Sequence, residues 1–345
     1  MKKATRSIKP IALALGLALA LGFISACGSV PAAKESTSLT HLYDYQWLTP
    51  GASSEQISTE QAIDLLKGYD VIVFGELHEH SGIHLAQMQL MGGLYQHNAK
   101  LSLSLEQFER DTQSLINQYL AGEIGEEYFI KKARAWDNYR ASYRPLMEFA
   151  KQRDIPVIAA NAPKQVVTCV GRSGLDILQK YSEKERQHVA HSVDVADGPY
   201  RQKFFGFMNK DYAHKVPEDE ASKKIMQTMS ERSFAAQALR DDTMAESIAL
   251  HLQFHPERQV IHLNGNFHSS GFLGVPERLQ SRMPELKIAV INIMTEHDEP
   301  GLEPLGTLNL KVQGIPDKFV SDKNRNEWLS NVMKKRMKSR KRCPQ

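Results

Sequence analysis

Five short apolar runs, rich in valine and isoleucine, constrain the fold of this chain more than any other feature. They lie at residues 70–74, 100–105, 155–160, 259–263 and 286–294, and amphipathic stretches separate them. Strands that alternate with helical patterns indicate a parallel sheet with helices on its faces. The sequence therefore predicts an α/β fold with a mainly parallel β-sheet, flanking helices and a helical insertion or subdomain.

The gap between the third and fourth apolar runs predicts the insertion, because it is too long for a single crossover connection. It contains helical patterns at 180–191, 199–212 and 220–255. We expect residues 165–256, approximately, to form a helical part packed over the sheet edge. The whole domain is predicted over residues 46–320, a length that is sufficient for one large core.

The N-terminus has the pattern of a secretory signal, with four basic residues before an apolar run at 11–23. That run is too short to span a bilayer, which needs about 20 apolar residues. It ends in Ile24-Ser25-Ala26-Cys27, which resembles the lipobox of bacterial lipoproteins. We expect residues 1–26 to be removed and Cys27 to carry lipid, with palmitate among its acyl chains. Residues 27–45 then form a lipidated tether, and Gly28 favours the outer membrane.

The C-terminal tail, residues 321–345, is strongly basic. The whole chain has a formal net charge of +3. The signal contains four basic and no acidic residues, so the mature chain is near −1 and the region before the tail is acidic. The tail is either a solvated terminus or a contact for anionic lipid, and the export signal argues against a nucleic-acid partner. Two remaining thiols, Cys169 and Cys343, define no disulfide framework, and we expect no disulfide.

Polar residues gather where the predicted strands end. Glu76 and His78 follow the first strand, Glu106 the second, Asn161 the third and His268 the fourth. Ligands of open parallel sheets bind at the carboxyl ends of the strands. We therefore expect the side chains of these residues to surround a single site, because titratable groups gathered in a cleft are costly unless they are used.

These strand-end motifs, taken in order, resemble those of the ChaN-type haem-binding lipoproteins. The superfamily also contains the Tiki proteases and the erythromycin esterases. The similarity runs from about residue 70 to about residue 294. The motifs that carry it are Gly75-Glu76-Leu77-His78, Leu105-Glu106, Asn161-Ala162-Pro163, Arg240-Asp241 with Met244-Ala245, and Gly265-Asn266-Phe267-His268 running into Gly274-Val275-Pro276.

The resemblance implies a membrane-anchored protein that binds haem for iron uptake, through a homodimer that encloses the haem. A haem-uptake receptor or transporter is then a further partner. The family implies tyrosine as the iron ligand; within 136–145, Tyr143 is the first candidate and Tyr139 the second, unless both simply cover a helix face. Arg144 is a candidate partner for the haem propionates.

The histidines support an alternative, a metal- or carboxylate-dependent hydrolase similar to the other branches of the superfamily. Glu76, His78 and His268 offer ligands suited to zinc or another divalent metal. Glu106 or Glu76 would act as general base, whereas in a haem protein His78 and His268 would contact the cofactor. The haem-binding function is favoured over an enzyme, since the signal, the lipobox and the motif order agree. His80 and His84 are expected to be partly exposed helix residues.

Overall fold

One eight-stranded sheet forms the centre of the protein. The structure is a computed structural model that describes residues 38–212, 219–298, 305–338 and 342–345, so the predicted signal peptide and Cys27 lie outside the described residues. The chain from Ser36 to Gln345 forms one compact unit. The strands are β1 (Tyr45–Leu48), β2 (Gln56–Ile57), β3 (Val71–Glu76), β4 (Leu101–Glu109), β5 (Val157–Asn161), β6 (Gln259–Gly265), β7 (Ile288–Thr295) and β8 (Leu308–Val312).

The sheet is mostly parallel. Its strand order is β2-β1-β8-β7-β3-β6-β4-β5, and neighbouring strands from β8 to β5 are all parallel. Only β1 runs antiparallel to its neighbours, β2 and β8. The five apolar runs form β3 to β7, which confirms the predicted fold class. The sequence analysis did not identify β1, β2 or β8, which are short and lie together at one side of the sheet.

Helices cover both faces of the sheet. The alternation of the strands directs Ile72 and Phe74 into one apolar layer and Val71 and Val73 into the other. The first layer is formed with helices α1 to α6, and the second with α10 and α11. The helices are α1 (Thr59–Leu66), α2 (Ser81–His97), α3 (Gln113–Leu120), α4 (Glu126–Lys132), α5 (Tyr139–Ser142), α6 (Arg144–Gln152), α7 (Lys164–Ser173), α8 (Glu183–Arg186), α9 (Pro199–Tyr212), α10 (Glu220–Phe254), α11 (Val275–Arg282) and α12 (Asp322–Lys338).

The helical region predicted near 165–256 joins the sheet through α10. The C-terminal half of this helix buries Met244, Ala245 and Ile248 against the strands, and so it acts as an ordinary layer helix. Helix α9 has the predicted bounds. The predicted helix at 180–191 is reduced to the four residues of α8.

The C-terminal region contains a disulfide that the sequence analysis did not expect. Cys169 in α7 and Cys343 are bonded, with their Cα atoms 5.6 Å apart, so the expectation of no disulfide is wrong. The two residues are 174 positions apart in the sequence, and only the fold brings them together. Within the described ranges, no helix combines the length and apolarity needed to span a bilayer.

Candidate functional site

Glu76, the last residue of β3, is a buried carboxylate surrounded by hydrogen-bond donors. It follows Ile72 and Phe74 on the same face of the strand, so its side chain enters the layer that contains α2. Its Oε1 accepts hydrogen bonds from Gln107 Nε2 at 2.8 Å and from the Tyr143 hydroxyl at 2.5 Å. Its Oε2 accepts one from Gln87 Nε2 at 2.9 Å. These bonds offset the desolvation of the charge and fix the carboxylate in place.

His78 is held by the same carboxylate. Its Nδ1 lies 2.7 Å from Glu76 Oε1, and the carboxylate requires Nδ1 to be the donor. Burial lowers the pKa of His78, but Glu76 and Glu106 outweigh burial and raise it. Burial also raises the pKa of Glu76, whereas His78, His84 and Tyr143 lower it further than burial raises it. The pair therefore favours a charged Glu76 and a fixed imidazole orientation.

The fixed orientation leaves His78 Nε2 available. Among the described residues this nitrogen has no hydrogen-bond partner, and the side chain is 39% exposed. Trp136 packs edge-on against the imidazole, with ring centroids 4.8 Å apart. Asn138 Nδ2 donates to the His78 carbonyl at 2.5 Å. When the imidazole is neutral, its one proton lies on Nδ1 and faces the carboxylate, so Nε2 carries the lone pair that can bind a metal centre.

A second carboxylate–histidine group lies on the other side of the sheet end. Glu106 Oε2 accepts from the Gly265 N–H at 2.7 Å, and its Oε1 lies 3.5 Å from His268 Nε2. His268 Nδ1 bonds to Asp241, and the Tyr200 hydroxyl bonds to the other oxygen of that carboxylate. Burial lowers the pKa of His268, but Asp241 and Glu106 outweigh it and raise the pKa.

The two groups meet at Gly265, at the end of β6. A Cβ at this position would lie 2.9 Å from His78 Nε2, which is too close, and 3.7 Å from the His268 ring, which is an ordinary contact, so glycine is needed for the approach of His78. Asn161 supports the same edge by donating from Nδ2 to the Glu106 carbonyl at 3.0 Å. The structure thus brings together Glu76, His78, Glu106 and His268, as the strand-end pattern predicted.

A cavity of about 520 Å³ opens above this group. Its volume is in the range of small-molecule sites. Phe207 of α9 is 53% exposed at the cavity and packs against Phe267 in a tilted arrangement, with ring centroids 5.4 Å apart. The lining includes Glu76, His78, His268, Phe204, Phe207, Met208, Phe267, Ile315 and Lys318. The walls are therefore largely aromatic and apolar, and two histidines, His78 and His268, are part of the lining.

The tyrosine candidates do not lie on the cavity. Tyr143 is fully buried, and burial together with Glu76 raises its pKa well above the usual range. Its hydroxyl is committed to Glu76, so it does not offer a phenolate to a ligand in the cavity. Tyr139 is buried in the apolar core beside Phe108 and Phe129.

Arg144 also differs from its expected role. Its guanidinium binds both carboxylate oxygens of Glu126, at 2.5 and 2.9 Å. This bidentate pair uses Nε and Nη2 of Arg144, and Arg144 is not among the residues that line the cavity. The segment 136–145 still belongs to the site, because Trp136 and Asn138 hold His78 and Tyr143 holds Glu76.

A divalent-metal site at Glu76, His78 and His268 is not supported. No group of three or more His, Cys, Asp or Glu side chains in the described part of the chain is arranged to hold a metal ion. The Glu76 oxygens are already occupied by four donors, and His268 Nδ1 is occupied by Asp241. His80 and His84, expected to be partly exposed, are buried.

Several site residues were missed or given no role in the sequence analysis. Asp241 was noted only as part of a motif, and Tyr200 was not singled out. Gln87 lies one turn after His84 in α2, and Gln107 follows Glu106, so both were adjacent to recognised residues. The aromatic cluster in Pro199-Tyr200-Arg201-Gln202-Lys203-Phe204-Phe205-Gly206-Phe207 was a visible signal for the cavity wall.

Comparison with protein families gives an assignment. A family model described as haem-binding uptake, Tiki superfamily, ChaN matches residues 62–279, more than half of the sequence. The chain belongs to this ChaN family. The match begins in α1 and ends in α11, so it includes every strand end that forms the candidate site.

A solved ChaN structure agrees with this fold, and two others are similar at lower scores. The structure described as cofacial haem binding to ChaN of Campylobacter jejuni has a TM-score of 0.59 and 16% sequence identity, covering 78% of this chain and 98% of that chain. A mutant of the erythromycin esterase EreC in its open conformation has a TM-score of 0.42 and 13% identity, covering 84% and 87%. The type III effector HopBA1 has 0.43 and 10%, covering 80% and 100%. A comparison with curated proteins found no match.

Proposed function

We propose that this protein is a lipid-anchored haem-binding protein of the bacterial envelope that acts in haem and iron uptake, with His78 as the axial ligand. One observation carries the proposal: His78 lines a largely aromatic cavity with its Nε2 unpaired among the described residues, while its Nδ1 is fixed by a buried carboxylate. Histidine is a known axial ligand of haem iron, and a hydrogen bond to its second nitrogen tunes the metal.

The cavity residues fit the other parts of a haem. Phe204, Phe207 and Phe267 provide aromatic surface for the porphyrin. Lys318, 65% exposed and 3.2 Å from Glu79, provides a cation for a propionate. Haem, when bound, supplies the iron, and Glu76 keeps the imidazole in the tautomer that presents Nε2. His268, which also lines the cavity, would be a second contact for the bound haem.

The envelope part of the proposal depends on Cys27. Two or three acyl chains on this residue would hold the protein firmly, since each buried methylene contributes about 0.8 kcal/mol. The Cys169–Cys343 disulfide supports an exported protein, because disulfides persist in oxidising compartments. A Cys27→Ser variant should lose fatty-acid labelling and extract from membranes without detergent. Label retained on that variant would refute the anchor.

A homodimer is part of the same proposal. Phe207 is half-exposed at the cavity, and a haem seated there would leave apolar surface for a second copy to cover. Sedimentation velocity with and without hemin measures this directly. The dimer should form or tighten when hemin is added, and a monomer at saturating hemin would contradict it.

The location of the haem can be tested by a matched pair of substitutions. Phe207→Asp places a charge in the proposed porphyrin contact and should weaken hemin binding at least ten-fold. Phe254→Asp makes the same substitution at a phenylalanine of α10 that is 78% exposed and does not line the cavity, so it should leave hemin binding unchanged. Equal affinities for the two variants would refute this cavity as the haem site.

A hydrolase remains the second candidate, now without a metal. The observation that favours it is the Asp241–His268–Glu106 arrangement, in which one buried carboxylate orients a cavity-lining histidine next to a second buried carboxylate. Such a chain can take and return a proton in ester cleavage. Hydrolysis of a model ester that disappears in His268→Gln would support it, whereas no turnover by the native protein would remove it.

A further inference from the structure

We propose that α12 is a second membrane contact, a basic helix that lies on an anionic lipid surface. This helix, Asp322–Lys338, follows the segment that contributes Ile315 and Lys318 to the cavity. From 321 to 335 every residue is exposed except Val332, which is partly buried. The helix thus has almost no tertiary packing of its own in the described part of the chain.

The helix carries apolar side chains at helical spacing. Trp328 and Val332 are one turn apart, as are Leu329 and Met333, so the four share one face. Trp328 is 49% exposed, Leu329 42% and Met333 64%. Trp328 also contacts Phe319, with ring centroids 5.5 Å apart. Arg325 lies between the four apolar residues on the same side of the helix, so apolar and basic side chains are mixed there, which suits the headgroup region of a bilayer, where tryptophan is enriched.

Charge identifies the partner. Residues 322–342 contain nine basic and two acidic residues, while the remainder of the mature chain is acidic. Lys323, Lys334 and Lys335 are exposed, and none of them forms an ion pair with a described residue. An anionic bilayer complements this combination of cations and apolar side chains, and basic residues near such a surface contribute about 1 kcal/mol each.

The disulfide restrains the segment at its far end. Cys343 is bonded to Cys169 of α7, and α7 packs against α10. The basic segment is therefore attached to the domain at both ends, by β8 and by the disulfide. A helix held in this way presents the domain to the membrane in one orientation, in addition to any lipid at Cys27.

Vesicle binding by the chain from Ser36 to Gln345, which is one compact unit and lacks the lipid, tests the proposal. Vesicles of phosphatidylcholine, with and without about 30% phosphatidylglycerol to give a negative surface potential, serve as the probe. Lys334→Gln/Lys335→Gln is compared with Lys131→Gln/Lys132→Gln, an equally exposed lysine pair in α4. Trp328 reports insertion, since Trp47 is buried and Trp136 half-buried.

We expect the chain to sediment with anionic vesicles only. Its tryptophan emission should shift to the blue, and Trp328→Phe should remove that shift. Lys334→Gln/Lys335→Gln should weaken binding about thirty-fold. The α4 pair should bind as the unchanged chain does. Equal losses in the two pairs, an unshifted Trp328, or binding to nucleic acid or an acidic polypeptide in preference to anionic vesicles would each overturn the proposal. None of these outcomes depends on haem binding.

Discussion

The Nδ1 atom of His78 and the Oε1 atom of Glu76 are 2.7 Å apart. Glu76 is the last residue of β3, and only Leu77 separates it from His78 in the sequence. This contact makes the carboxylate a positioning group for the imidazole. Gln87, Gln107 and Tyr143 in turn position the carboxylate. We therefore expect substitutions of Gln87, Gln107 or Tyr143 to lower the free energy of unfolding without changing which residue binds the haem iron.

Tyr143→Phe tests this division. The ring volume is retained, but a buried charged carboxylate loses a donor at 2.5 Å. The free energy of unfolding should fall by about 1.5–3 kcal/mol, the usual value for a hydrogen bond to a charged group. Urea denaturation measures the loss. Tyr128→Phe, at an exposed position, should change stability by less than about 0.5 kcal/mol, and similar values for the two variants would contradict the assigned role.

The Asp241–His268 pair predicts a pH dependence of stability. Because the folded pKa of His268 is raised, the pair stabilises the fold fully below the unfolded histidine pKa, about 6.5. That contribution is lost as the pH rises through the folded pKa. The stability difference between the native chain and His268→Gln should therefore be larger at pH 6 than at pH 9. A difference that grows with pH would show that His268 is neutral in the folded protein.

The Cys169–Cys343 disulfide should be visible in thiol chemistry. The chain from Ser36 contains only these two cysteines, so the native, unreduced protein should show no free thiol. Reduction should lower the free energy of unfolding by about 2–4 kcal/mol. Cys343→Ala should match the reduced protein, since either change opens the same loop. Two titratable thiols in the native protein would rule the bond out.

The central strands could be predicted from the sequence because each of them is a local run of apolar residues. The runs that became β3 to β7 are continuous and apolar, and Glu76 at the end of β3, Glu106 in β4 and His268 after β6 meet at one edge, as parallel topology requires. Strands β1 and β8 were missed because they are short and carry polar residues between their apolar ones, so neither forms a continuous apolar run. Strand β2 has only two residues, which are too few for an alternating apolar pattern to be visible in the sequence.

The roles within the site were harder to predict, since they depend on contacts between distant segments. Tyr143 and His78 both lie in motifs suited to haem, and nothing local indicates which one faces the cavity. The decision comes from Glu76, which binds both side chains and holds the tyrosine hydroxyl inside the protein. Likewise, the sequence alone does not show that Arg144 pairs with Glu126 of α4, and so it left Arg144 as a candidate partner for a propionate.

The absorption spectrum of the hemin complex tests the central claim most directly, measured for the native chain, His78→Ala and Tyr143→Phe. Histidine ligation predicts a native spectrum without the phenolate charge-transfer band, unchanged in Tyr143→Phe and altered or lost in His78→Ala. A phenolate charge-transfer band that persists in His78→Ala and disappears in Tyr143→Phe would contradict the account. It would assign the iron to the tyrosine.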